Sequence, residues 1–492
     1  MKTGINGEWV VAWIDGKHQV INKGTVVFEN EEVIFVGFQG DPNSPVPDKI
    51  IDASGKIVSP GLINLHCIAN LDLQLLKMDS GDGEAFPKPK QFVMNQTEPS
   101  LWTDQDFTNS AEFSVATLLK SGSTSFASVT SSATKRWSEA GPEPYALAEA
   151  SEKMGARAWL AAFFQEGCSY TDTDGSVGII WDSKEGQYAL DKSLDLIKYL
   201  KFKDNELLTG FLFPARTDRC SDDLLRETIK QSKQFGGLHV RSHFSEYLSE
   251  YREFKSRNPK RTMIEWLDDV GFLGPNVCLT HCIYIAGHSD TGEQAKDDLS
   301  ILANSETSVC HCPLVISRAG AVFESFSRYI SAGINMGIGT DTFPPDLIEE
   351  IRLAALLNKA LDRSRNVGTI EEVYNAITIG GAKALGREDL GRLDVGCKAD
   401  ISIFNLSGLA LGVIDDPMRT LIHIATGRDC DTVIVNGKVV VEAGHVNGVD
   451  ESELKNRAQT SWLKYKTGIV SWDWRGRDID QMFPPSISNF NN

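Results

Sequence analysis

Four polar residues recur at an interval that can carry chemistry. His243, His281, His311 and Asp341 are separated by 38, 30 and 30 positions, and a strand followed by its crossover helix occupies roughly 30 to 40 residues. The spacing therefore predicts one polar side chain at the exit of each successive strand. Imidazoles and a carboxylate gathered in this way suit Zn²⁺ or Fe²⁺, and a metal with an open coordination position acidifies a bound water. Glu246, three residues after His243, has the chemistry to move a proton between that water and a leaving group. Upstream, His66 ends the apolar run Gly61-Leu62-Ile63-Asn64-Leu65, at a distance from His243 that leaves room for four more units. His66 then closes a first strand, and His243, His281, His311 and Asp341 close the fifth to the eighth.

These residues need a scaffold that brings strand exits together. Between residues 59 and 385 short apolar runs alternate with helical patterns. Ser221-Asp222-Asp223, for example, is an N-cap followed by first-turn acids, with Leu224, Leu225 and Ile229 on one face. This α/β pattern predicts a (β/α)₈ TIM barrel, whose strand exits converge on one face. The ends differ. Residues 1–58 alternate like antiparallel strands, and 386–450 do so again around the Asn436-Gly437 hairpin signal. The two ends are expected to form one composite β-sandwich. Residues 451–492 read as a C-terminal helix and an aromatic tail containing Trp472 and Trp474.

In five segments the chain resembles the amidohydrolase superfamily, in its aminohydrolase and chlorohydrolase branch of cytosine deaminase-like and triazine hydrolase-like enzymes. They are Val58-Ser59-Pro60-Gly61-Leu62-Ile63-Asn64-Leu65-His66, His243-Phe244-Ser245-Glu246, Thr280-His281-Cys282, Gly337-Ile338-Gly339-Thr340-Asp341, and Gly391 to Asp400. The resemblance implies one divalent transition metal, Zn²⁺ or Fe²⁺, held by His66, His243 and Asp341. It implies Glu246 as general acid/base, His281 as the residue that polarises the substrate or orients the nucleophile, and Asp341 as a second proton acceptor. Asn70 and His311 fall at positions implied to face substrate. The implied reaction is attack by metal hydroxide on a small cyclic nitrogen-containing compound with loss of amine, chloride or thiolate, deamination being the commonest in the branch.

Two departures stand out. The family's first strand ends His-x-His, whereas here it reads His66-Cys67-Ile68, and Ile68 cannot ligate a metal. Cys67 or Asn70 takes the place, His281 becomes a full ligand, or the metal is absent; Cys67 alternates to the opposite strand face from His66. Without metal, the scaffold would suit a lyase or isomerase using Glu246 and His281, or a non-catalytic binding protein. The second departure is Arg216 and Arg219 at the fourth strand's exit, where a guanidinium fork favours an anionic or carbonyl-rich substrate; the alternative is an exposed loop with ordinary ion pairs.

Composition narrows the partners. With 49 Lys and Arg against 67 Asp and Glu, the formal charge is −18, and no basic run offers a footprint for nucleic acid or an anionic membrane. A small-molecule substrate is expected, in a cytoplasmic protein with the homodimeric assembly common among such enzymes. Cys278, Cys282, Cys310 and Cys312 lie inside apolar runs and are expected to be core thiols, since structural zinc knuckles need turns.

Overall fold

The computed structural model describes residues 1–71, 78, 88–94, 101–137 and 141–487. Eight short parallel strands form its centre: β1 Leu62–Cys67, β2 Ser123–Val129, β3 Arg157–Ala161, β4 Leu208–Gly210, β5 Val240–Phe244, β6 Val277–His281, β7 Ser308–His311 and β8 Met336–Ile338. They hydrogen-bond as two four-stranded sheets, in the orders β4-β3-β2-β1 and β5-β6-β7-β8. Parallel bridges lie at both seams, Leu212 to Val240 and Cys67 to Asp341. Helices alternate with the strands, among them Asp104–Lys120, Glu143–Met154, Ser183–Phe202, Asp222–Gln234 and Leu347–Leu361. The Ser221 hydroxyl caps its helix by accepting from the Leu224 N–H at 3.2 Å.

Side chains alternate across each strand, and two layers result. Ile63, Leu65, Ala127, Trp159, Phe213 and Cys310 belong to an inner apolar cluster; Leu62, Cys67, Phe126, Leu160 and Val309 pack outward with the helices. One glycine sets the seam that matters most. A Cβ at Gly339 would lie 2.4 Å from the His66 carbonyl oxygen and 2.5 Å from its nitrogen. Only glycine lets the chain after β8 lie on β1, and there the Asp341 N–H donates to His66 O at 2.9 Å.

The two chain ends share one continuous sheet of eight strands, where a two-layered sandwich was expected. Lys2–Ile14, Lys17–Glu29, Glu32–Phe38 and Lys49–Pro60 come from the N-terminal side, and Ile401–Asn405, Cys430–Val435, Lys438–Glu442 and His445–Val446 from the C-terminal side. Ile401–Asn405 joins the halves by pairing antiparallel with Lys49–Pro60. The sheet bends until the Asn30-Glu31 turn meets the Asn436-Gly437 turn, where a Cβ at Gly437 would lie 1.7 Å from the Asn30 carbonyl oxygen.

A buried ion pair ties this sheet to the central strands. Arg157 at the start of β3 donates from Nε and Nη2 to the Asp400 carboxylate at 2.8 and 3.1 Å, and Asp400 also accepts from the Asn436 N–H at 2.7 Å. Removing one partner strands the other charge. Asp400→Ala is therefore expected to cost about 3–5 kcal/mol in urea unfolding; a loss below about 1 kcal/mol would show that the pair is not the fastener it looks.

The C-terminal helix Glu451–Gly468 lies along Asp104–Lys120, with Arg457 on Glu112 at 2.8 Å and Ser461 donating to Asp106 at 2.8 Å. Trp472 is buried in its own chain against Phe92, with ring centroids 4.4 Å apart. Substituting it reads folding rather than assembly. All nine cysteines are buried and free. Among the described residues no helix is long and apolar enough to cross a membrane.

Candidate active site

The exits of β1, β5, β6 and β8 bring four polar side chains together. One nitrogen from each of His66, His243 and His281 and one oxygen of Asp341 all lie within 4.8 Å of one another. His66 Nε2 is 3.2 Å from His243 Nε2 and 3.2 Å from Asp341 Oδ1, while His281 Nε2 is 3.9 Å from Asp341 Oδ2. Ligand atoms bound about 2.1 Å from one zinc ion stand roughly 3–4 Å apart, and the pairs at 3.2 and 3.9 Å fall in that range. Polar satisfaction points the same way. His281 Nε2 and Asp341 Oδ1 are buried with no hydrogen-bond partner, and such groups are costly to leave unpaired.

The backbone bends sharply to build this cluster. Ser245, His281, Cys282 and Asp341, all non-glycine, have φ of 47°, 73°, 50° and 55°. Side chains rarely adopt this region, and it recurs where a site needs its residues turned out of a strand. His243 Nδ1 donates to the Ala215 carbonyl at 2.8 Å, which fixes the tautomer and leaves Nε2 as a lone pair aimed at His66.

Burial keeps the imidazoles neutral. It pushes His243 and His281 down to about 3 and His66 well below its usual range, helped for His66 by Arg241. Neutral imidazoles are the ligating form. Burial raises the Glu246 carboxyl, and the neighbouring Arg216 guanidinium opposes that rise. Glu246 Oε1 stands 3.9 Å from His281 Nε2.

The other expected site residues fall differently. Cys67 faces the outer core, and burial lifts its thiol to about 12, so it does not stand in for the missing imidazole. Ile68 packs on the inner apolar cluster. Asn70 lines a narrow pocket with Cys67, Ser114, Thr117 and Phe343, between β1 and the helix Asp104–Lys120, and is not one of the four clustered residues. Of the three compensations for Ile68, the geometry brings His281 into the set. His311, at the end of β7, is buried against Phe323 with ring centroids 4.5 Å apart and lies outside the cluster.

Acidic neighbours hold both arginines. Arg216 is not presented to an anion: Nε, Nη1 and Nη2 are engaged by Asp218 at 3.1 Å, Glu246 at 3.2 Å and Glu250 at 2.9 Å. Arg219 sits on Asp218 at 2.5 Å, with Glu253 at 3.7 Å. Ion pairing is the alternative that the sequence left open for this segment. Glu250 carried no signal in the sequence; it lies in the first turn of the helix Leu248–Arg257, just after Glu246.

His311 allows a clean test of burial. Its pKa, ordinarily near 6.5, is pushed down to about 3 by burial and then by His281. Below 6.5 the unfolded chain binds a proton that the folded chain refuses, so stability is lost as pH falls from about 6.5 toward 3. His311→Phe is expected to gain about 2 kcal/mol on wild type at pH 5 relative to the same comparison at pH 7.5, where both states are neutral. Equal differences at the two pH values would contradict a buried neutral imidazole.

The model of the amidohydrolase family matches residues 57–440. The chain belongs to the amidohydrolase family. This amidohydrolase is 26% identical over 440 residues to the 5-methylthioadenosine/S-adenosylhomocysteine deaminase of Thermococcus onnurineus, covering 87% of this chain and 91% of that one. It is 27% identical over 452 residues to the 5'-deoxyadenosine deaminase of Methanosarcina mazei, covering 89% and 93%. Among solved structures, it matches an adenosine deaminase from Xanthomonas campestris with bound zinc at TM-score 0.75 and 19% identity, covering 94% of this chain and 98% of that one. It also matches the zinc complex of atrazine chlorohydrolase TrzN from Arthrobacter aurescens at TM-score 0.72 and 19% identity, covering 94% and 100%. The fold is accordingly of the TIM-barrel type with an additional domain. This amidohydrolase is a hydrolase by family, with a His and Asp group that could hold a metal.

Proposed function

We propose that this amidohydrolase deaminates a small heterocyclic amine, with adenine nucleosides such as 5'-methylthioadenosine and 5'-deoxyadenosine as the first substrates to test. The observation that carries this reading is the gathering of His66, His243, His281 and Asp341 within 4.8 Å, with the Glu246 carboxylate beside His281. The names of the curated relatives support the substrate class.

In this reading His66, His243, His281 and Asp341 hold one divalent transition ion, Zn²⁺ in the first instance. Such an ion supplies a water acidified toward neutrality and an electrophilic pull on the substrate. The protein's own groups do the rest. Glu246 Oε1 takes a proton from the attacking water and delivers it to the departing nitrogen, so that C–NH₂ and water become a carbonyl and ammonia. His281, 3.9 Å from both Glu246 and Asp341, orients the reacting groups between them. The strained turns at Ser245, His281 and Asp341 fix these side chains before substrate arrives.

The same reading closes the eight strands into one barrel through the Leu212–Val240 and Cys67–Asp341 bridges, over residues 59–385. It assigns 1–58 and 386–450 to the accessory sheet domain and 451–492 to a helical tail, of which 488–492 lie outside the described residues. A cytoplasmic homodimer remains part of the reading, to be tested by cell fractionation and by size-exclusion with light scattering.

The deciding experiment is a panel assay on the zinc-loaded protein. Ammonia release and loss of adenine absorbance are followed with 5'-methylthioadenosine, 5'-deoxyadenosine, adenosine and cytosine, and chloride release with a chlorotriazine. Ammonia from an adenine nucleoside is the expected outcome. Chloride release with no ammonia from any amine would replace deamination by dehalogenation.

A further inference from the structure

The cluster around Arg216 is built more tightly than a rim salt bridge requires. Its three guanidinium nitrogens each meet a different carboxylate, from Asp218, Glu246 and Glu250, and its plane lies over the Tyr247 ring at 5.3 Å. Glu250 does more than pair with it. Its side chain is almost wholly buried, and its oxygens accept the backbone N–H groups of Ser245 at 2.8 Å and Glu246 at 3.0 Å. Those two N–H groups belong to the left-handed turn at Ser245 that swings Glu246 out of the β5 exit. A parallel bridge between Arg216 and His243 ties the arginine's backbone to the strand that carries the turn.

The two oxygens of Glu246 are thereby made unequal. Oε2 is held by Arg216 Nη1 at 3.2 Å, while Oε1 faces His281. A charge-assisted hydrogen bond from Nη1 to one oxygen favours the orientation in which the other oxygen faces His281. We propose that Arg216, locked in place by Glu250 and Asp218, is a positioning residue that presents Glu246 Oε1 alone to the reacting groups. Glu250 also anchors the backbone turn beneath it. The inference rests on the reading that Glu246 moves the proton, and it assigns Arg216 no contact with substrate. It departs from the expectation that Arg216 recognises an anion. An arginine that binds substrate changes KM when removed, whereas one that orients the proton carrier changes kcat.

The test compares Arg216→Ala, Arg216→Lys and Glu246→Gln in the zinc-loaded protein, with 5'-methylthioadenosine as the probe. Arg216→Ala is expected to lower kcat by about 30- to 100-fold, with KM within about threefold of wild type and zinc content unchanged. Guanidinium chloride at non-denaturing concentration should restore part of that kcat, because a free guanidinium can occupy the vacated fork. Arg216→Lys, which keeps the charge but not the fork, should fall between wild type and Arg216→Ala. An unchanged kcat in Arg216→Ala alongside an inactive Glu246→Gln would overturn the positioning role. An active Glu246→Gln would overturn the underlying reading instead. A crystal structure of zinc-loaded Arg216→Ala settles the matter without turnover: the Glu246 carboxylate is expected to leave its wild-type orientation, and an unmoved carboxylate would sink the proposal. If Arg216→Ala does not fold, Arg216→Gln takes its place in both measurements.

Discussion

Glu246→Gln is expected to lower kcat by about 10³-fold while leaving the zinc content intact. General acid/base catalysis contributes on the order of 10² to 10⁴, and here one carboxyl handles both the proton leaving the water and the proton reaching the amine. Glutamine keeps the size and the contact with Arg216 but can perform neither transfer. Zinc should survive because Glu246 is not among the four clustered ligand residues. Steady-state kinetics with metal analysis on the same sample checks both halves. A variant retaining more than about a tenth of wild-type kcat would move the proton chemistry to His281 or Asp341.

The second large effect concerns the ligands. Asp341→Ala and His243→Ala are each expected to remove most of the bound zinc and nearly all activity. Structural zinc sites with four protein ligands are worth about 10–16 kcal/mol at pH 7, and on that scale one ligand accounts for roughly 3 kcal/mol, or about two decades in affinity. His281→Ala is the informative member of the series. Because Ile68 leaves a ligand position without a donor and Cys67 turns to the outer core, His281→Ala should weaken zinc as much as His243→Ala does. Competition with a chromophoric chelator gives the three affinities. Zinc retained at wild-type affinity in His281→Ala would return His281 to a purely catalytic role and leave the metal with three protein ligands.

Much of this was legible in the sequence for a physical reason. Between β5 and β8 each strand is followed by a compact crossover, so His243, His281, His311 and Asp341 fall at nearly constant intervals and their common face can be counted. Upstream the count of strands holds, but the intervals do not. A long stretch separates β1 from β2, and the hairpin Gly167–Thr171 and Val177–Trp181 is inserted between β3 and β4. Pairing partners were harder to read. The sequence displays the charge of Arg216 but not the three carboxylates that neutralise it, because Asp218, Glu246 and Glu250 come from two different strand exits. It likewise cannot show that His311 stands apart from the other histidines, since that depends on the ring of Phe323 beside it. The Asn436-Gly437 hairpin was visible as turn chemistry; its meeting with the Asn30-Glu31 turn, which bends the terminal strands into one sheet, was not.

The central claim is that His66, His243, His281 and Asp341 form a working metal site despite Ile68. The most direct measurement follows ammonia release from 5'-methylthioadenosine by the purified protein before chelation, after exhaustive chelation, and after addition of one equivalent of zinc. The account predicts turnover that is abolished by chelation and restored by about one ion per chain. Turnover that survives with less than ~0.2 equivalents of transition metal bound would contradict it.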